Sequence, residues 1–190
     1  MTLATPGLRI CEAEADDLPA LLPTYLSNPD YVALNEGSRG ESGYFDLAML
    51  QRDWWVARMM PGRHMLGIYL ASSDIAAGEP GHAAVGMMDF ATEGPSAGLP
   101  WLGSLVIVRS RQRQGLGSEA LAALVAHLAA ATDAPAVRCG VRVENAAGLA
   151  FCRARGFASV DTLTSDGHRF SVLERTLLPR PSEESNGGRV

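Results

Sequence analysis

Leu105-Val106-Ile107-Val108-Arg109-Ser110-Arg111-Gln112-Arg113-Gln114-Gly115-Leu116-Gly117-Ser118 runs from an apolar segment straight into a glycine turn. After it, Leu121, Leu124, Val125 and Leu128 recur at i, i+3, i+4 and i+7, the apolar stripe of a helix lying on a sheet. A strand, a turn and a helix are therefore expected in succession. Such a turn leaves backbone N–H groups unpaired at the positive end of the helix dipole, where an anion binds. Gly115 and Gly117 let the backbone approach a ligand closely, and Ser118 either caps the first turn or adds a hydroxyl donor. A diphosphate suits this chemistry. A dinucleotide fingerprint needs a third glycine, as G-x-G-x-x-G, and an acidic residue about twenty positions on; this turn lacks that glycine.

Upstream, His64–Ala71, Ala83–Thr92 and Trp101–Val108 read as three strands of an antiparallel meander. Before them come a short strand at Leu8–Cys11 and an amphipathic helical stretch from Asp16-Asp17 through Leu18, Leu21, Leu22 and Leu26, whose bounds Pro23 leaves open. A loop over Ser27–Gly43 and a helix over Phe45–Met60 follow. Downstream, Ala136–Val143 is a strand and Ala146–Arg155 a helix stopped by Gly156-Phe157. Ala158–Thr164 and Arg169–Glu174 are strands about a turn at Ser165-Asp166-Gly167. The order β-α-α-β-β-β-α-β-α-β-β makes an α/β (α+β) fold on one mixed sheet, the glycine helix crossing between parallel strands. One domain spans residues 7–178, with a polar, disordered tail over 179–190.

Composition narrows the chemistry. A chain of 190 residues with 47% apolar and 19% charged residues buries one sizeable core. All sixteen basic residues are arginines, which excludes a Walker-type phosphate loop and a Schiff-base lysine. The net charge of -5 argues against nucleic acid as a partner. No apolar run approaches the ~20 residues of a membrane span and no leader is evident, so no membrane partner and a cytoplasmic location are expected. Cys11, Cys139 and Cys152 are an odd, widely spaced set, read as reduced thiols. His64, His82, His127 and His168 lack metal spacing, so no metal is expected.

The turn at Gln112–Gly117 and the segment from Asn145 through Phe151-Cys152 to Gly156-Phe157 together resemble the two cofactor-motif halves of the GNAT superfamily of N-acetyltransferases. That resemblance implies acetyl-CoA as cosubstrate and a primary amine of a small molecule, peptide or protein N-terminus as acceptor. It implies that backbone of Val106, Ile107 and Val108 pairs with the pantetheine arm, an N–H near Ile107 facing the acetyl oxygen. Gln112, Arg113, Gln114, Gly115, Leu116, Gly117 and Ser118 would surround the diphosphate, and Asn145 and Phe151 would lie along the arm. Arg111 and Arg113 either pair with phosphates or are solvated. Homodimers are common in this superfamily.

Three departures concern proton transfer and the turn. Arg109 replaces a common proline, Gly103-Ser104 a strand acid, and Cys152 the tyrosine proposed to protonate the departing thiolate. Cys152 is thus a candidate acid or a small buried core residue. Asp89, Glu93 and Glu36 are candidate bases, Asp89 first because it interrupts an otherwise apolar strand. Nine carboxylates against two arginines between Glu12 and Asp53 would attract an amine. Trp54, Trp55 and Met59 line either the acceptor pocket or the core. A rival reading is a non-catalytic acyl-CoA-binding regulatory or interaction module.

Overall fold

The computed structural model describes residues 1–35, 45–71, 83–95 and 98–177. Its elements are β1 (Thr2–Ala4), β2 (Leu8–Glu12), α1 (Leu18–Leu26), α2 (Pro29–Asn35), α3 (Leu47–Met59), β3 (Arg63–Leu70), β4 (Ala84–Ala91) and β5 (Trp101–Ile107). There follow α4 (Leu116–Ala131), β6 (Ala136–Arg142), α5 (Ala146–Ala154), β7 (Ala158–Ser165) and β8 (His168–Thr176). The eight strands form one sheet in the order β1-β2-β3-β4-β5-β6-β8-β7. All neighbours are antiparallel except β5 and β6, which α4 connects as a parallel crossover. The mixed sheet and the meander are as expected from the sequence.

Two elements were not expected. β1 adds a strand before residue 7, held by three register pairs with β2; three residues are too few for period-two alternation to register. α2 lies in the stretch read as loop. Its start is marked by Asn28-Pro29, where proline suits the first helical position and Asn28 O accepts from Val32 N–H at 3.0 Å. The remainder of that loop, with Glu36, and His82 and the tail over 179–190 lie outside the described residues.

Alternation along the strands sends side chains to two cores. Leu66, Ile68, Met88, Phe90, Leu102 and Ile107 face α4, whose Leu121, Leu124, Val125 and Leu128 are the predicted stripe. Met65, Tyr69, Met87 and Val106 face the opposite way, onto Leu18, Leu21, Leu50 and Trp54 of α1 and α3. Burying each such leucine stabilises by roughly 1.5–3 kcal/mol, so the sheet is clamped from both sides. α3 is started by Asp46, whose side chain accepts from Met49 N–H at 2.9 Å. Trp54 is buried and donates Nε1–H to Ala13 O at 2.7 Å, while Trp55 and Met59 are exposed.

Candidate active site

The parallel pairing between β5 and β6 is short: only Trp101↔Arg138 and Leu102↔Cys139 are in register. Beyond them the two strands part. The divergence begins at a bulge, because β4 pairs Asp89 with Ser104 and Phe90 with Leu102, leaving Gly103 as the extra residue. A Cβ on residue 103 would run into Asp89 Oδ1, so only glycine lets the carboxylate lie over the bulge. Asp89 shares a face with Met65, its register partner, and therefore looks toward the α1–α3 side. Its side chain is 12% exposed and takes two bonds from Arg63, at 3.1 Å from Nε and 3.3 Å from Nη2. Burial pushes its pKa up, and Arg63 pulls it back only in part.

Past the bulge, alternation of the antiparallel ladder decides which backbone groups are free. Val108 N–H donates to Val85 O at 2.9 Å, and its carbonyl accepts from Arg111 N–H at 2.8 Å, so Val108 is committed within the protein. By the same alternation Val106 bonds toward β4, and the Ile107 N–H points away from β4 into the gap that β6 has left. Of the three backbone residues read as cofactor contacts, Ile107 is the one whose N–H is turned that way.

At the end of β5 the chain makes the glycine turn. Arg113 and Gly115 have φ of 62° and 89°, the left-handed region, and Gly115 O accepts from Ser118 and Glu119 N–H at 2.9 and 3.0 Å. Among the described residues the backbone N–H groups from Arg113 to Gly117 find no backbone acceptor. These successive donors at the N-terminus of a sixteen-residue helix are chemically suited to a diphosphate. A Cβ on Gly117 would stand 3.5 Å from Ile107 Cγ1 and 3.7 Å from Phe151 Cε2. The turn, the free end of β5 and Phe151 are thus brought together. Asn145 caps α5 through Gly148 N–H at 2.8 Å, as expected.

Other residues are used differently from the sequence expectation. The Gln112 amide turns inward, donating to Asn28 Oδ1 at 2.7 Å and Ile107 O at 3.0 Å. Gln114 Nε2 donates to Ser110 O at 3.1 Å. Arg109, in place of the proline, pairs with Asp30 at 2.6 Å, and its backbone N–H donates to Ser27 Oγ at 3.1 Å. Cys152 is buried in the α4-side core with Sγ 3.9 Å from Cys139 Sγ. The hydrogen bond with Cys152 and burial push the Cys139 thiol well above its usual range.

Sequence reasoning missed three participants. Arg63 and Asn28 have no local pattern linking them to residues 89 and 107. Arg142, at the end of β6, donates to Leu34 O of α2 and to His168 Nδ1 at 2.8 Å, and pairs with Glu144 at 3.3 Å. α2 is therefore tied to β5 at one end and to β6 at the other. Asn28 to Leu34 is a rise of about 9 Å, nearly twice the ~4.8 Å between paired strands. A separate depression of about 510 Å3, lined by Leu18, Gln51, Arg52, Trp54 and Trp55 among others, contains none of the motif residues.

The model of the acetyltransferase (GNAT) family matches residues 30–157, two thirds of the chain, a range that holds the bulge at Gly103, the glycine turn and the capped start of α5. The chain belongs to the GNAT family of acetyltransferases. It is accordingly an N-acetyltransferase with acetyl-CoA as its donor, and the run of backbone N–H groups without backbone acceptors at the start of α4 is chemically suited to that donor's diphosphate. No curated protein sequence matches the chain. Among solved structures, an acetyltransferase from Thermus thermophilus is 25% identical, covers 93% of this chain and 100% of its own, and superposes with a TM-score of 0.68. A Salmonella typhimurium enzyme that modifies the N-terminal serine of a 50S ribosomal subunit protein is 19% identical, with coverages of 93% and 99% and a TM-score of 0.71. Spermidine N-acetyltransferase from Vibrio cholerae, in complex with CoA and spermine, is 11% identical, with 90% and 95% covered and a TM-score of 0.64. Among the described residues no helix is long and apolar enough to cross a membrane and no cluster suits a metal ion.

Proposed function

We propose that this acetyltransferase acts by direct attack of a primary amine, on a small molecule, a peptide or a protein N-terminus, with Asp89 as the general base. Bound acetyl-CoA supplies an activated thioester. In this reading the backbone N–H groups from Arg113 to Gly117, with Ser118, hold the diphosphate. Asn145 and Phe151 flank the arm, and Ile107 N–H polarises the thioester carbonyl. Asp89 accepts the proton of the attacking amine, directly or through one water.

One observation carries the assignment of Asp89. The family's strand acid is missing because residues 103 and 104 are Gly and Ser, yet the Asp89 carboxylate fills the space a side chain on Gly103 would take. The acid has moved to the neighbouring strand, and the bulge glycine makes room for it. A carboxylate with its pKa raised by burial is also a better base near neutral pH than an ordinary one. A CoA thiolate, with a thiol pKa near ~8.5, leaves without a dedicated acid, and Cys152 serves as a packed core thiol beside Cys139.

The acidic segment between Glu12 and Asp53 supports a cationic acceptor, and the two relatives that modify a protein N-terminus or spermidine mark the classes to try first. A cytoplasmic setting, where thiols stay reduced, suits the adjacent Cys139 and Cys152. The test is to incubate the protein with acetyl-CoA and a panel of peptides, polyamines and small amines, following CoA release, with Gly117→Trp as the control. Release that needs both acceptor and an intact turn supports the reading. Tight acetyl-CoA binding without turnover on any amine would favour the non-catalytic acyl-CoA module instead.

A further inference from the structure

The geometry points to Asn28 as a positioning residue for acetyl transfer, acting with Gln112 to clamp the peptide between residues 107 and 108 so that Ile107 N–H is held toward the thioester carbonyl. The inference rests on the acetyl-transfer reading above. Asn28 is 5% exposed and sits at the junction of α1 and α2, 79 residues from the strand it touches. Its Nδ2 donates to Thr24 O at 2.8 Å and to Ile107 O at 3.0 Å. Its Oδ1 accepts from Gln112 Nε2 at 2.7 Å, and the same Nε2 donates to Ile107 O at 3.0 Å.

Two consequences follow from counting donors and lone pairs. First, Ile107 O already accepts two amide N–H groups, so both of its lone pairs are used and it is closed to the amides of the cofactor arm. Second, the same peptide unit is held on its other side, where Val108 N–H donates to Val85 O at 2.9 Å. A peptide plane bonded at both ends does not rotate, and this fixes the ψ of Ile107 where β5 has lost β6 as a neighbour; the Ile107 N–H belongs to the preceding peptide, which the pairing of Val106 with β4 holds, so the clamp secures Ile107 from the side that this pairing leaves open. The first glutamine of the glycine motif thus shapes the strand rather than the phosphate cradle. Asn28 also begins α2, so the clamp joins the arm that bridges the gap to the backbone that would polarise the acetyl group.

The experiment uses Asn28→Asp, of equal shape but with a donor replaced by an acceptor facing Ile107 O, Gln112→Ala, and the double variant. Each is checked for folding by circular dichroism at 15 °C. kcat and KM are measured on the amine the wild type acetylates, and calorimetry gives the CoA affinity. The infrared carbonyl band of bound [13C]acetyl-CoA is compared with its position in water, and the Ile107 amide resonance is recorded in the free protein. A clamp predicts that kcat falls by about 10–100-fold while CoA affinity changes by no more than about threefold. It also predicts that the lowered carbonyl frequency of the wild-type complex returns toward its value in water, that the Ile107 resonance shifts, and that the double variant is no worse than the worse single one. Unchanged kcat and carbonyl band in a folded Asn28→Asp would overturn the assignment, as would an equal loss of kcat and CoA affinity. If the wild type acetylates no amine, that sinks the acetyl-transfer reading, and the carbonyl band alone then decides: a wild-type shift lost in the variants upholds the clamp, and no wild-type shift refutes it. Should Asn28→Asp fail to fold, Gln112→Ala carries the same measurements.

Discussion

Asp89→Asn should cost this enzyme its rate while leaving its stability nearly unchanged. The carboxylate is 12% exposed, and burial raises its pKa more than Arg63 lowers it. A folded-state pKa above the unfolded value means that the fold favours the neutral form. The stabilisation from that preference is complete below the ordinary carboxylate value of about 3.9, and it is lost as pH rises through the raised one. At pH 7 the charge is therefore held at a cost that the neutral amide escapes, each tenfold change in acidity being worth about 1.4 kcal/mol. Against this gain stands the loss of the partner of Arg63, which is 33% exposed and able to turn to water, a penalty of about 1 kcal/mol. The two effects nearly offset, and at 2–4 °C per kcal/mol for a chain of this size the melting temperature should stay within about 3 °C of wild type. Removing a general base should lower kcat/KM by about 10²–10⁴-fold. Calorimetric scans and CoA-release kinetics from pH 4 to 9 measure both. The melting temperature of wild type minus that of the variant should fall as pH rises from 4 to 7. A variant that keeps kcat/KM within about twofold and melts more than about 6 °C lower at pH 7 would show a structural ion pair and refute the base assignment.

Arg63→Gln removes the group that lowers the Asp89 pKa, so the acid limb of the kcat/KM profile should move to higher pH; a profile that moves lower or stays put contradicts this. Gly103→Ala drives a methyl into Asp89 Oδ1 and should cut kcat/KM by about tenfold or more, read with CoA affinity as control. Gly117→Trp should abolish the melting-temperature rise, about 5–10 °C at a hundredfold excess over Kd, that acetyl-CoA gives the wild type. Cys152→Ala should keep kcat within about threefold, and a loss of tenfold or more would make its thiol a proton donor.

Much of the fold was legible because its signals are local. The stripe Leu121, Leu124, Val125 and Leu128 is a helix in any context that buries one face, and each is buried against the sheet. The turn at Gln112–Gly117 was read from its glycines, and Gly115 does take a left-handed φ of 89°, which favours glycine. β1 and α2 escaped because three and seven residues are too short to show a period. The functional assignment of Gln112 met a different limit. Its type and place in the motif were plain, but whether its amide faces a phosphate or Asn28 depends on a residue 84 positions away.

The amino-acid sequence by itself determined the strand, the glycine turn, the helix behind it and hence the kind of ligand, since backbone donors at a helix N-terminus follow from chain geometry alone. Only the tertiary structure decided which groups face the reaction. The short β5–β6 pairing, the bulge at Gly103, the Asp89 carboxylate lying over it and the clamp from Asn28 each join residues far apart in the chain. Such contacts are settled by strand register and helix packing, and a shift of one residue would turn Asp89 to the other face of the sheet.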